Sequence, residues 1–200
     1  MNKRKKAIYF ITRVAAWSAI ATILAMVEAL TFPIIPGFSF LKIHLEEIPI
    51  LIAGMAYGPF EALFILVIKS LFKLIQDIPL TAGIGVLADF IYSLFFIIPP
   101  TIIYKKWNNK KGFAIGISIG TILQLAVSLV LGVLWIFPFY QSIFHLEVLN
   151  DINFILGFSV ILPFNAIKDG IVLAISIIVL LILFVPKWRK KNAPDVIERH

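Results

Sequence analysis

Apolar residues run along this chain in long blocks, and short stretches that hold most of the prolines and charges separate them. A helix needs about 20 predominantly apolar residues to cross the hydrocarbon core of a bilayer. Four blocks reach that length and two are shorter. The pattern predicts helices over residues 7–30, 46–57, 60–75, 81–104, 112–137 and 158–185. Gly58-Pro59 separates the second helix from the third, and Asp77-Ile78-Pro79 is expected to end the third.

The distribution of basic residues predicts how these helices are oriented. Lysines and arginines cluster at residues 3–6, 105–111 and 187–191, whereas the connecting segments at the opposite end are mainly acidic. Cytoplasmic loops carry an excess of Lys and Arg, and six spans return a chain to its starting side. We therefore expect an all-α membrane protein, a single integral membrane domain over residues 1–200. It would be a bundle of six transmembrane helices with cytoplasmic N- and C-termini.

Composition excludes a soluble globular domain. The chain is 60% hydrophobic and 14% charged, with a mean hydropathy of +1.00, whereas soluble domains average about 45–50% apolar and about 25% charged residues. The net charge of +7 is typical of proteins that bind nucleic acid, but the cations here flank apolar segments. We therefore expect a lipid bilayer as partner and no nucleic acid.

The sequence lacks the common catalytic motifs. It contains no GxxxxGK[ST] phosphate loop, no HExxH metal motif and no GxSxG nucleophile elbow. It has three histidines and no cysteine. We therefore expect no enzymatic activity, no catalytic residues, no metal and no cofactor, which leaves recognition and transport.

Ionisable residues inside the predicted helices are the main functional signal. A charge at the bilayer centre costs about 2.5–3.5 kcal/mol on insertion scales, so it needs a partner or a function. Lys69 and Asp89 fit either a buried ion pair or contact with a ligand. Asn165 and Lys168 are three residues apart and project to the same side of a helix. There they either hold a polar, partly aromatic ligand or satisfy carbonyls freed by Pro163.

Small residues indicate two packing surfaces. Gly112, Gly116 and Gly120 recur every four residues in the fifth helix, and such seams let helix backbones approach closely in lipid. The first helix carries Ala15 and Ala19, which suggest a contact surface for another membrane subunit. We expect the glycines to pack inside the bundle.

Three segments resemble the substrate-binding S components of energy-coupling factor (ECF) transporters, in particular the riboflavin-specific type known as RibU. They are residues 18–21 (SAIA), residues 47–69 from Glu47-Ile48-Pro49 to Lys69, and residues 163–168 (PFNAIK). The resemblance implies a six-helix bundle with an outward-facing vitamin site. A lid formed by the loop at residues 32–45 would cover that site.

The resemblance also implies a function. The chain would be a high-affinity riboflavin-binding subunit that captures riboflavin outside a prokaryotic cell membrane. It would deliver the vitamin with an ATP-driven coupling module, formed by a transmembrane coupling subunit and two ATPase subunits. Ala15 and Ala19 would contact the coupling subunit. Three alternatives stay open: an S component for pantothenate, thiamine or folate, a small stand-alone permease, and a small polytopic membrane enzyme.

The expected ligand-binding residues follow from the same resemblance. In riboflavin-specific relatives the Asn and Lys of the Pro-Phe-Asn-x-x-Lys stretch hydrogen-bond the isoalloxazine ring, and the lid gives it apolar contacts. The set expected here is Asn165, Lys168, Phe38, Phe40, Leu41, Lys42, Glu47, Lys69, Ala88 and Asp89. Two positions depart from the family pattern: His44 stands where relatives tend to carry an acid, and Gly132 stands where a polar residue is expected.

Overall fold

The computed structural model of the protein describes residues 3–27, 32–33, 41–145 and 154–191. Two short strands, β1 (Phe32–Pro33) and β2 (Lys42–Ile43), form an antiparallel pair after the first helix. The α-helices are α1 (Lys3–Met26), α2 (Glu47–Tyr57), α3 (Pro59–Thr81), α4 (Ile84–Trp107), α5 (Lys110–Leu131), α6 (Phe137–Phe144), α7 (Phe154–Leu156) and α8 (Leu162–Lys191).

The described helices have the lengths and composition of a membrane bundle. Within the described ranges, four helical stretches are long and apolar enough to cross a bilayer: Lys3–Met26, Ile84–Trp107, Lys111–Ile143 and Phe154–Val179. The helix α2 is apolar but short. The helix α3 is long enough, but it contains four charged side chains (Glu61, Lys69, Lys73 and Asp77).

The third helix extends beyond its predicted end. It was expected to stop at Asp77-Ile78-Pro79, but α3 continues through this segment to Thr81. It ends where Ala82 and Gly83 take positive φ values of 53° and 80°. The expected stop is wrong because left-handed backbone, rather than the proline, ends this right-handed helix.

Two π-helical turns widen the later helices. They span Gly132–Ile136, between α5 and α6, and Gly157–Ile161, between α7 and α8. Each turn begins with a glycine and is followed two residues later by Pro138 or Pro163. Proline has no N–H and its ring crowds the carbonyl four residues earlier, so a wider turn just before it relieves the conflict.

These turns explain why two predicted helix ends are wrong. The fifth helical stretch continues to Phe144 instead of ending at residue 137, and the sixth begins at Phe154 instead of residue 158. The predicted end at residue 137 lies directly before Pro138, but the π-helical turn accommodates this proline and the helical stretch continues into α6.

The glycine seam of α5 packs closely against α4, as predicted. A Cβ added at Gly116 would lie 2.8 Å from Pro100 Cα, and one added at Gly120 would lie 2.6 Å from the carbonyl oxygen of Phe96. Pro100 cannot donate to that carbonyl, which lies four residues before it. The absence of a side chain at Gly120 lets the α5 backbone approach the freed oxygen.

Two apolar cores hold the bundle together. The larger core lies between the helices α1, α2, α3, α4 and α8. Its fully buried members include Ile50, Leu51, Ile65, Leu66 and Val172. The smaller lies between the two π-helical turns and contains Val133, Ile136, Phe137, Val160 and Ile161. This second core also forms one wall of the cavity described next.

Candidate functional site

A cavity of about 390 Å³ opens between β2, α3, α4, α8 and the two π-helical turns. One wall is apolar and largely aromatic, formed by Ile136, Phe137, Tyr140, Ile161 and Phe164. The other surfaces carry polar groups, among them His44, Lys73, Asp77, Asp89, Asn165 and Lys168. A mostly apolar concavity with a few polar groups is the usual form of a small-molecule site.

The paired π-helical turns shape the aromatic wall. A side chain added at Gly132 would clash with Ile161 of the other turn, and one at Gly157 would clash with Val133. The two glycines therefore let the turns approach closely. The helices that follow them then carry Tyr140 and Asn165 into the cavity wall.

An ionic cluster lies between α2, α3 and α4. Lys69 is fully buried, and its Nζ lies 2.8 Å from Glu46 Oε1 and 2.8 Å from Asp89 Oδ2. Lys73 Nζ donates to the same Glu46 oxygen at 2.9 Å. Two ammonium groups thus face two carboxylates, which compensates charges that would be costly alone. The ion pair between Lys69 and Asp89 exists, and Asp89 also lines the cavity.

A second buried pair joins α8 to α2. Lys168 Nζ donates to Glu47 Oε1 at 2.8 Å, and Ser93 Oγ on α4 donates to the same oxygen at 2.6 Å. Lys168 lines the cavity, whereas Glu47 is buried behind it. The carboxylate therefore holds the ammonium at the cavity wall.

Asn165 is held by two hydrogen bonds. Its Oδ1 accepts from Gln124 Nε2 at 3.0 Å, and its Nδ2 donates to the carbonyl oxygen of Ile161 at 3.0 Å. This carbonyl lies four residues before Asn165, whereas the carbonyl that Pro163 frees belongs to Ser159, so the bond does not decide between the two interpretations from sequence. Asn165 also lines the cavity. Lys168 bonds a carboxylate instead.

His44 follows β2 and lines the cavity. Burial, reinforced by the positive charge of Lys73, lowers the pKa of His44 from 6.5 to about 4. Its Nδ1 lies 3.5 Å from Glu46 Oε2. The imidazole is therefore neutral near pH 7 and adds no charge to the cavity.

Comparisons with known proteins identify the family. The family model described as "ECF transporter, substrate-specific component" matches residues 9–183. The chain belongs to this family. As an S component with several helices of spanning length, it is a multi-pass membrane protein.

Relatives of this S component are transporters. The riboflavin transporter FmnP of Bacillus subtilis is 30% identical over 185 residues, which cover 90% of this chain and 95% of that protein. The riboflavin transporter RibU of Lactococcus lactis is 31% identical over 172 residues, covering 78% and 83% of the two chains. A solved structure of the S component of a bacterial ECF transporter has the same fold. Its TM-score is 0.72 at 24% identity, over 88% of this chain and 96% of that one.

The structure brings most of the predicted ligand-binding residues to the cavity of this S component. Those on its wall are Leu41, Lys42, Ala88, Asp89, Asn165 and Lys168. Glu47 and Lys69 lie behind the wall, where each pairs with a charged residue that lines it. Phe38 and Phe40 lie outside the described residues. Ala15 and Ala19 are exposed on α1. Contact with a ligand or a subunit stays a prediction for all of them.

Sequence reasoning missed the aromatic wall and the residue behind Asn165. Phe137, Tyr140 and Phe164 were not among the predicted site residues, nor was Gln124. A signal for the wall exists in the repeated pattern G-x₅-P-F, found at residues 132–139 (GVLWIFPF) and 157–164 (GFSVILPF). It marks both π-helical turns. Gln124 had no comparable signal, because its role depends on a contact between two helices.

Proposed function

We propose that this S component captures riboflavin at the outer face of a prokaryotic cell membrane and delivers it inward with an ATP-driven coupling module. The observation that carries the proposal is the cavity, whose lining combines Asn165 and Lys168 with aromatic side chains. Aromatic side chains such as Phe137 and Tyr140 stack well on flat rings. The names of the relatives, all riboflavin transporters, support riboflavin over pantothenate, thiamine or folate.

The charges around the cavity suit an uncharged ligand. Lys69, Lys73 and Lys168 are each paired with a carboxylate at 2.8 or 2.9 Å. An anionic ligand would have to compete with those carboxylates, whereas a neutral ligand can accept hydrogen bonds from ammonium N–H groups that the carboxylates leave free. Riboflavin is neutral, with carbonyl and ring-nitrogen acceptors on one edge and hydroxyl groups on its side chain.

Contacts at one end of the bundle support a topology of six spans with cytoplasmic termini. Arg13 of α1 lies 3.7 Å from Glu61 and stacks over Tyr57 at 4.6 Å, next to the turn between α2 and α3. Lys105, in the basic run after α4, lies against Gly58 of that turn. Arg13 and Lys105 thus lie at the same end of the bundle, beside the turn between α2 and α3. The positive-inside rule makes that end cytoplasmic, and the cavity lies toward the other.

We assign residues 32–45 as a lid over the site. The strands β1 and β2 pair Phe32 with Ile43 and Pro33 with Lys42, which brings the two ends of this loop together. Leu41, Lys42 and His44, at its second end, line the cavity. The middle of the proposed lid, residues 34–40, lies outside the described residues.

We assign Ala15 and Ala19 to the contact with the coupling subunit. Both are exposed on α1, and small side chains let a second transmembrane helix approach closely. The chain contains no phosphate-binding loop. Two ATPase subunits of the coupling module would supply the energy for transport.

The test is to purify the protein in detergent from cells grown with riboflavin and to record its visible absorption spectrum. We expect a flavin spectrum and one riboflavin per chain. Protein from riboflavin-free cells should bind riboflavin, detected by quenching of flavin fluorescence, and should not bind pantothenate, thiamine or folate. Asn165→Leu should weaken binding, while the exposed control Ser142→Ala should not. Colourless protein that does not bind riboflavin would overturn the proposal.

A further inference from the structure

We infer that Gln124 is a positioning residue, which orients the Asn165 amide so that this wall of the cavity offers N–H donors to the ligand. The inference rests on the proposed function. Gln124 is fully buried in α5 and does not line the cavity. It therefore acts on a ligand through Asn165, its hydrogen-bond partner on α8.

The Ile161 carbonyl, just before α8, and the Gln124 amide of α5 each hold one end of this amide, and together they fix its orientation. A carbonyl oxygen can only accept a hydrogen bond, so the Asn165 atom that lies 3.0 Å from the Ile161 oxygen must be nitrogen. The Asn165 oxygen then faces Gln124, which must present its own nitrogen, at 3.0 Å. The flipped amide would place two oxygens against each other and leave buried polar groups unpaired, which is costly.

This arrangement determines what Asn165 can offer. Its oxygen uses one of its two lone pairs to accept from Gln124 and one N–H donates to Ile161, so its second N–H is the one donor left for a ligand. Lys168 gives one N–H to Glu47 and keeps two. Because both residues lie on one face of α8 and line the cavity, the wall presents two neighbouring donors.

Two neighbouring donors select a ligand edge with two neighbouring acceptors. The isoalloxazine ring has two such edges, since each carbonyl oxygen lies next to an unprotonated ring nitrogen. A ligand with a donor at either place would oppose an N–H of the protein and leave it unpaired, at a cost comparable to a lost buried hydrogen bond. Gln124 would thus help determine specificity without touching the ligand.

The first experiment compares riboflavin with its two deaza analogues, in which one or the other of those ring nitrogens is replaced by C–H. In the unchanged protein, one analogue should bind about tenfold more weakly than riboflavin, as expected for one lost hydrogen bond. In Gln124→Met, riboflavin should bind about tenfold more weakly, and the ratio of the affinities for riboflavin and that analogue should fall towards one. Thr121→Val, one turn away on α5, removes a buried hydroxyl that has no hydrogen-bond partner among the described residues, and it should preserve both properties.

The second experiment is a double-mutant cycle with Asn165→Leu. If Gln124 acts through Asn165, adding Gln124→Met to Asn165→Leu should not weaken riboflavin binding further. This comparison remains informative if Gln124→Met alone is too unstable to purify, because the double variant leaves neither buried amide without its partner. Melting temperatures in detergent monitor the fold throughout.

Two results with the variants would overturn the inference: Gln124→Met that binds and discriminates like the unchanged protein, or an equal further loss of binding when Gln124→Met is added to Asn165→Leu. Equal binding of riboflavin and both analogues by the unchanged protein would do the same. In each case riboflavin binding by the unchanged protein would leave the proposed function intact. Failure of the unchanged protein to bind riboflavin would instead contradict the proposed function itself.

Discussion

Lys168 Nζ lies 2.8 Å from Glu47 Oε1, so one ammonium group both lines the cavity and closes a buried ion pair between α8 and α2. Lys168 is 5% exposed and Glu47 is 1% exposed. Removing one partner of such a pair leaves the other charge buried and uncompensated. A substitution at Lys168 therefore affects stability as well as binding, and the two effects must be separated.

Glu47→Gln provides that separation. We expect Lys168→Met to abolish tight riboflavin binding and to destabilise the protein by about 3–5 kcal/mol, the usual cost of breaking a buried pair. Adding Glu47→Gln removes the orphaned charge and should restore most of the melting temperature in detergent, but not the binding. A double variant that recovers both would contradict contact between Lys168 and the ligand.

Hydropathy predicted the helical blocks, and the spacing of three residues predicted that Asn165 and Lys168 lie on the same side of one helix. Hydropathy and spacing can both be determined from the local sequence. Partners were not predictable in this way. The cost of a charge in a bilayer shows that Lys168 needs a counterion, but Glu47 is one of several carboxylates in the chain, and it lies 121 residues away. Only the packing of α8 on α2 selects it.

The close approach of α5 to α4 gives a prediction with a matched control. Gly120→Ala would place its Cβ 2.6 Å from the Phe96 carbonyl oxygen, so the helices must separate, and we expect a loss of about 1–3 kcal/mol in stability. Gly170 lies on α8, and no atom of the described residues is within 4 Å of an added Cβ there. Gly170→Ala should therefore stabilise the helix by about 0.5–1 kcal/mol. Unfolding in detergent measures both, and equal effects would contradict the packing argument.

The π-helical turns show another limit of sequence reasoning. The fifth helix is predicted to end at residue 137, directly before Pro138, and Pro163 is predicted to free carbonyls within its helix, which is the usual effect of proline. In the structure a π-helical turn precedes each proline, and the helical stretch continues past it. The choice between a break and a widened turn depends on packing between the turns at Gly132 and Gly157. The G-x₅-P-F pattern marks both turns, but it does not show that they pack together to form the aromatic wall.

His44 should make stability depend on pH. In the unfolded chain His44 takes up a proton near pH 6.5, whereas the folded protein holds its pKa at about 4 because the ring is buried and lies near Lys73. Between these values the unfolded state binds more protons, so stability falls as the pH decreases from 6.5 towards 4. His44→Gln should remove this part of the loss in melting temperature. The control His145→Asn, at an exposed site, should lose as much melting temperature on acidification as the unchanged protein. If His44→Gln and the unchanged protein showed the same dependence of melting temperature on pH, the burial of His44 would be contradicted.

The exposed alanines of α1 allow transport to be separated from ligand binding. If the coupling subunit docks there, Ala15→Phe and Ala19→Phe force a ring into a close helix contact, where overpacking costs about 1–3 kcal/mol. We expect riboflavin uptake by cells to fall about tenfold or more, with the affinity of the purified S component unchanged because neither residue lines the cavity. Ile122→Phe, at an exposed apolar position on α5, should change neither property. If uptake persists in both Ala15→Phe and Ala19→Phe, the docking surface lies elsewhere on the bundle. If riboflavin affinity falls together with uptake, the substitutions on α1 also change the shape of the cavity.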